Sequence, residues 1–134
     1  MSKSLIYTAL QTTATPAIGN TVPVGSIIRR KGCGIRADGN VINLTDPGYY
    51  DVELQATVAA AAAGNVVLQM LANGVEIPGA VATANIATAD TQIETIGISC
   101  VVRVNCCNDV TLSVAVGGTA APTISNMAVK VVHE

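Results

Sequence analysis

The stretch Asp46-Pro47-Gly48-Tyr49-Tyr50-Asp51-Val52-Glu53-Leu54-Gln55-Ala56-Thr57-Val58 places a turn signal directly before strict alternation. Tyr50, Val52, Leu54, Ala56 and Val58 share one face of an extended chain, and Tyr49, Asp51, Glu53, Gln55 and Thr57 share the other. A period of two sets one face on a core and leaves the other for solvent or a neighbouring subunit. The reading is a half-buried β-strand opened by a Pro-Gly turn.

The same pattern recurs on both sides of it. Downstream, residues 66–72 lead through Asn73-Gly74 into Val75-Glu76-Ile77, and Asn-Gly accepts the positive φ values of a type I′ hairpin turn. Ile96, Ile98, Cys100, Val102 and Val104 alternate with Gly97, Ser99, Val101 and Arg103, and Val110, Leu112, Val114 and Val116 with Thr111, Ser113 and Ala115. A closing strand over residues 125–133 opposes Met127, Val129 and Val131 to Ala128, Lys130 and Val132. Shorter strands are expected at residues 5–12, 25–30 and 41–45. The run of alanines at 59–63 favours helix by propensity, but five residues cannot nucleate one and Gly64-Asn65 follows. It is read as a strand end running into a loop.

Composition agrees. Val, Ile and Thr supply 44 of 134 residues against 7 Leu, and β-branched side chains suit pleated sheets better than helices. Charged residues make up 12% of the chain, about half of the ~25% usual in soluble domains. No linker or composition shift divides the sequence, so a single domain over residues 1–134 is expected, an all-β jelly-roll β-sandwich of about eight to ten antiparallel strands.

A net charge of −2 with only three aromatic residues, all Tyr, argues against nucleic-acid binding. The uncharged stretches 54–75 and 110–129 are broken by Asn65, Gln69 and Asn73 and by Gly117, Gly118 and Pro122. No membrane insertion is expected from either. The opening Met1-Ser2-Lys3-Ser4 leads into an apolar run too short for a secretory signal, which suggests synthesis in a cytoplasm.

Chemistry is sparse. The single histidine, His133, sits one residue from the end, a poor place for a held general base. Asp51 and Glu53 share a strand face as i and i+2, with Asp46 near by, but a solvated strand face explains them and they are assigned neither calcium nor glycosidase work. Gly32-Cys33-Gly34 and Gly117-Gly118 match no phosphate-binding fingerprint. No catalytic residue, cofactor or metal site is expected. Arg29, Arg30, Lys31 and Arg36 hold four of the seven cations and form the only basic cluster, read as a turn that either solubilises the chain or binds an acidic protein or anionic glycan. Cys100 lies on an apolar strand face and is expected to be a buried thiol. Cys33 has Cys106 or Cys107 as a candidate disulfide partner, reduced thiols being the alternative; zinc is disfavoured because no C-x2-C pair or nearby His is present.

Three stretches resemble a known family. Val41-Ile42-Asn43-Leu44 followed by Asp46-Pro47-Gly48-Tyr49-Tyr50-Asp51-Val52 is similar to the Pro-Gly-x-Tyr strand opening of tumour-necrosis-factor-like and complement globular-head jelly rolls. Leu68-Gln69-Met70-Leu71-Ala72-Asn73-Gly74-Val75 resembles their Asn-Gly hairpin, and Ile124-Ser125-Asn126-Met127-Ala128-Val129-Lys130-Val131-Val132 their final strand. The resemblance, to the short bacterial and bacteriophage type, spans nearly the whole chain. It implies a ten-strand jelly roll that assembles as a homotrimer, of the kind found as virion decoration, fibre heads and spore-surface knobs. The chain departs from the animal members in lacking Phe, Trp and a collagen-like stalk, so no receptor or immune role is carried over. The expectation is a non-enzymatic structural knob, a capsid-decoration or head-fibre protein located on a bacteriophage virion. Its partners would be other virion or cell-surface proteins or a glycan. The alternative is a bacterial surface or spore-coat adhesin that binds through its loops.

Overall fold

The computed structural model describes residues 4–10, 12–38, 40–89, 91–105 and 108–133. Eleven strands run through them: β1 (Leu5–Ala9), β2 (Thr21–Val22), β3 (Ser26–Lys31), β4 (Ile35–Ala37), β5 (Val41–Leu44), β6 (Gly48–Ala60), β7 (Gly64–Ala72), β8 (Val75–Ile86), β9 (Glu94–Val104), β10 (Val110–Gly118) and β11 (Pro122–His133). One sheet has the order β3-β1-β11-β6-β9. The other has the order β4-β5-β10-β7-β8, with β2 continuing the line of β5 along β10. All pairings between these strands are antiparallel. Except from β4 to β5 and from β7 to β8, each strand is followed by one in the other sheet, which closes a jelly-roll sandwich. The two shortest strands, β2 and β4, carry the count beyond the expected eight to ten.

The core lies between the sheets. Tyr50, Val52, Leu54, Ala56 and Val58 of β6 are all buried and face Leu68 and Met70 of β7 and Leu112, Val114 and Val116 of β10 across the sandwich. Without Phe or Trp, the filling is almost wholly aliphatic, and Tyr50 is the largest fully buried side chain. The alanine run resolves as expected, with β6 ending at Ala60 and a bend over the next three residues. The Asn-Gly hairpin is also present. Asn73 and Gly74 have φ of 52° and 81°, and the Asn73 Oδ1 accepts a 2.9 Å hydrogen bond from the Thr111 amide, tying the turn to β10.

Three features differ from the expectation. β8 runs nine residues past Ile77, because Pro78 and Gly79 sit in a bulge opposite Met70 and the strand then resumes. Beyond the bulge Ala80, Ala82, Ala84 and Ile86 are buried while Val81 is 45% exposed. Alanine carries little hydrophobic contrast, so that alternation was not visible. β11 begins at Pro122 rather than at residue 125, and a register shift between Ile124 and Asn126 lets Ile124 and Met127, three apart, both reach the core. Cys100, expected to be buried, is only half-buried.

Candidate partner-binding surface

Two surfaces and one corner gather the residues with chemical or binding character. The first surface is the solvent side of the β3-β1-β11-β6-β9 sheet. Residues opposite one another on antiparallel strands share a face, so Tyr7, Ala128 and Lys130 stand beside Glu53 and Gln55 and, one strand further, Gly97 and Ser99. Gln55 lies directly opposite Gly97. Because Gly97 has no side chain, an open groove of about 600 Å³ forms there, lined among others by Tyr7, Glu53, Gln55, Gly97, Ser99 and Lys130. Lys130 Nζ and Glu53 Oε2 lie 3.3 Å apart at its wall. Tyr49 and Val101 on the same side are more than half exposed, and the Arg103 guanidinium stands 5.8 Å from the Tyr49 ring centre. The groove was not anticipated. Its one signal in the sequence is a glycine between Ile96 and Ile98 in mid-strand, which marks a place where side-chain cover is missing.

Asp51 and Glu53 project to this side as expected, and Glu53 pairs with Lys130 rather than with Asp51. Among the described residues, no group of three His, Cys, Asp or Glu side chains is placed to hold a metal ion.

The second surface is the basic cluster, and its setting corrects the sequence reading. Arg29 and Arg30 lie in the strand expected at residues 25–30, and that strand extends through Lys31, so the three cations end the edge strand β3 and do not form a turn. Arg36 lies on β4, the edge of the other sheet. The turn at residues 32–34 joins the two edges and is pinned from below. The Gly34 amide donates to Ser4 Oγ at 3.0 Å, and the Thr45 amide donates to the Gly34 carbonyl at 2.9 Å. All four cations are exposed. Cys33, in that turn, is exposed as well, while its candidate partners Cys106 and Cys107 lie outside the described residues.

The corner is built around the Pro47-Gly48 turn. His133, expected at a fraying end, is the last residue of β11 and pairs with Tyr50. The two rings stack with centroids 4.4 Å apart and planes 11° apart. His133 Nε2 lies 3.1 Å from the Pro47 carbonyl, and since a carbonyl only accepts, that contact requires a proton on Nε2. Tyr50 donates its hydroxyl proton to the Asp46 carbonyl at 2.6 Å. Gly48 leaves room for this ring, since a Cβ there would run into His133. Burial raises the Tyr50 phenol above its ordinary value, the Asp46 charge adds to the rise, and the hydrogen bond to the Asp46 backbone offsets part of it. The corner locks the C-terminal strand to the start of β6 and is structural in character.

Burial also raises the Cys100 thiol. The thiolate is the species that reacts with alkylating agents. Treatment with iodoacetamide near neutral pH should therefore modify Cys100 more slowly in the folded chain than after unfolding in guanidinium. Mass spectrometry of the peptide containing Cys100 reads this directly, and rapid native labelling would contradict the packing described.

The order of strands in the two sheets defines a tumour-necrosis-factor-like jelly-roll fold. Solved structures similar to it include murine APRIL, with a TM-score of 0.69 at 14% identity over 99% of this chain and 100% of that one. The globular domain of zebrafish complement 1qA protein aligns with a TM-score of 0.67 at 10% identity, over 96% of this chain and 94% of that one. The vertex protein P5 of phage PRD1 aligns with a TM-score of 0.63 at 15% identity, over 98% and 96%. No protein-family model and no curated protein sequence matches the chain. At these identities the likeness establishes the fold.

Proposed function

We propose that this chain is a non-enzymatic structural protein, a homotrimeric jelly-roll knob carried on a bacteriophage virion as a capsid decoration or fibre tip. The likeness to a phage vertex protein over nearly the full length of both chains carries this reading. The open side of the β3-β1-β11-β6-β9 sheet supports the assembly part. Tyr49 and Val101 leave apolar area there that a second and third copy would cover. Attachment to the virion or cell surface is assigned to Arg29, Arg30, Lys31 and Arg36, because they concentrate positive charge in a chain that is otherwise acidic. The exposure of that edge equally favours a second reading, a bacterial surface or spore-coat adhesin holding an anionic glycan or protein.

Light scattering coupled to size exclusion should give about three times the 13.6 kDa chain mass, and gold-labelled antibody should decorate purified virions. A monomer at micromolar concentration, or virions without label, would sink the knob reading; label on spores would select the second. Arg30→Ser with Lys31→Ser should leave mass and circular dichroism unchanged yet weaken attachment, by about tenfold at low salt and less at high salt. Equal attachment across the salt series would reduce the basic cluster to a solvated edge.

A further inference from the structure

We propose that β3 is an open sheet edge that takes an acidic extended segment of a partner protein as an added antiparallel strand. This rests on the reading of Arg29, Arg30, Lys31 and Arg36 as the attachment surface, and says how that surface binds.

β3 ends the order β3-β1-β11-β6-β9 and pairs with β1 alone. Its other side therefore presents backbone N–H and C=O groups with no strand partner among the described residues. The Ile28 carbonyl accepts a 2.9 Å hydrogen bond from Arg29 Nη1, the side chain of its own neighbour. Five of the six residues of β3 are exposed and Ile28 is half-buried; Ile27 is 44% exposed. An open edge with an exposed isoleucine invites pairing with another chain.

The charges decide which chain. Three successive cations end the strand, with Arg36 on the adjoining edge β4. The one ion pair found among the described residues, Lys130 with Glu53, involves none of the four. Two copies of this edge laid antiparallel would bring six cations onto one two-stranded ribbon in which β3 supplies no carboxylate to offset them, and that like-charge repulsion opposes the pairing. A second copy is thereby disfavoured and a carboxylate-bearing strand favoured, so that backbone bonds supply affinity and the side chains select the partner. The geometry also gives the occupant a reading order. Successive residues of a strand point to opposite faces, so Arg29 and Lys31 flank one face of the added strand and Arg30 the other. Ile28 is the unpaired extra residue of the register shift against β1. An antiparallel occupant thus carries three successive carboxylates, then a spacer across Ile28, then an aliphatic residue beside Ile27.

The peptide Thr-Glu-Glu-Glu-Thr-Val-Thr, labelled with fluorescein, is a direct probe by anisotropy at low salt. It should bind, and deuterium exchange should show new protection confined to residues 26–31. Methylating alternate backbone nitrogens keeps every charge but removes the strand's donors, and in the register that faces β3 it should weaken binding by about tenfold or more. Arg30→Ser with Lys31→Ser should weaken it by about tenfold. If methylated and unmethylated peptides bind alike, or if the parent peptide fails to bind at 0.1 mM, strand addition is overturned, while attachment of the double variant still decides the basic-surface reading separately. If the double variant binds the peptide and attaches as the parent does, both fall together.

Discussion

Tyr50→Ala should lower the stability of the folded chain by about 3 to 5 kcal/mol, the usual cost of emptying a large aromatic site in a close-packed core. Tyr50 is fully buried and is the largest side chain between the sheets. Removing it also leaves the His133 ring without its stacking partner and the Asp46 carbonyl without its donor. For a chain of this size the loss corresponds to roughly 10 to 20 °C in Tm, read by circular dichroism or by the urea midpoint. Tyr50→Phe keeps the ring and loses the hydroxyl bond alone, so its cost should be about 1 kcal/mol. A drop of similar size for both variants would show that the hydroxyl, not the ring volume, holds the corner. The pH dependence follows from the same burial. The phenol is raised above its ordinary value of 10.0 in the folded chain, so above that value the unfolded chain loses its proton first. The contribution of Tyr50 is complete below the ordinary tyrosine range and is lost as pH rises through the raised value. Tyr50→Phe should remove that part of the alkaline destabilisation.

Gly25→Val should be the most damaging single change outside the core, with a cost of about 3 kcal/mol or more from a strained backbone and a clash together. Gly25 has φ of 88°, a conformation that β-branched residues do not tolerate. A Cβ at this position would overlap the Ala9 carbonyl and lie 2.8 Å from the Leu10 amide nitrogen, both of them backbone. Since Ala9 pairs with Ser26, the clash falls where β3 joins β1, and β3 should come away from the sheet. The attachment proposed for Arg29, Arg30 and Lys31 should then fail along with stability. Gly74→Ala is the control. Gly74 has a similar φ of 81° with nothing within 4 Å of the added carbon, so only the conformational term of about 1 to 2 kcal/mol applies. Equal losses for the two glycines would show that φ alone matters and that the approach of β3 to β1 is not tight.

The strands that proved legible are those in which large aliphatic residues alternate with polar ones. β6 and β10 have high contrast between their faces, and every side chain assigned to their cores is buried. The second half of β8 was not legible, because its core positions are Ala80, Ala82 and Ala84 and its solvent side carries Val81. Propensity and contrast both pointed away from a strand that pairing with β7 holds in place. Nor was the start of β11 legible. Its bulge shifts the period by one between Ile124 and Asn126, and a bulge depends on the partner strand as much as on the residues in it. His133 was misplaced for a related reason, since a residue near a chain end is ordered only if something distant receives it, and here Tyr50 does.

The amino-acid sequence alone determined the class of the protein, the turns at Pro47-Gly48 and Asn73-Gly74, the core-facing side of β6 and β10, and which residues carry the positive charge. These are local properties, set by side-chain size, backbone preference and a period of two. The tertiary structure alone decided that the strand carrying Arg29, Arg30 and Lys31 is an open edge, and that Arg36 lies on the edge of the facing sheet. It also decided that Gly97 opens a groove beside Gln55. Whether a strand is central or terminal depends on which distant segments pair with it, and no local pattern records that β1 has β11 on one side and β3 on the other while β3 has β1 alone.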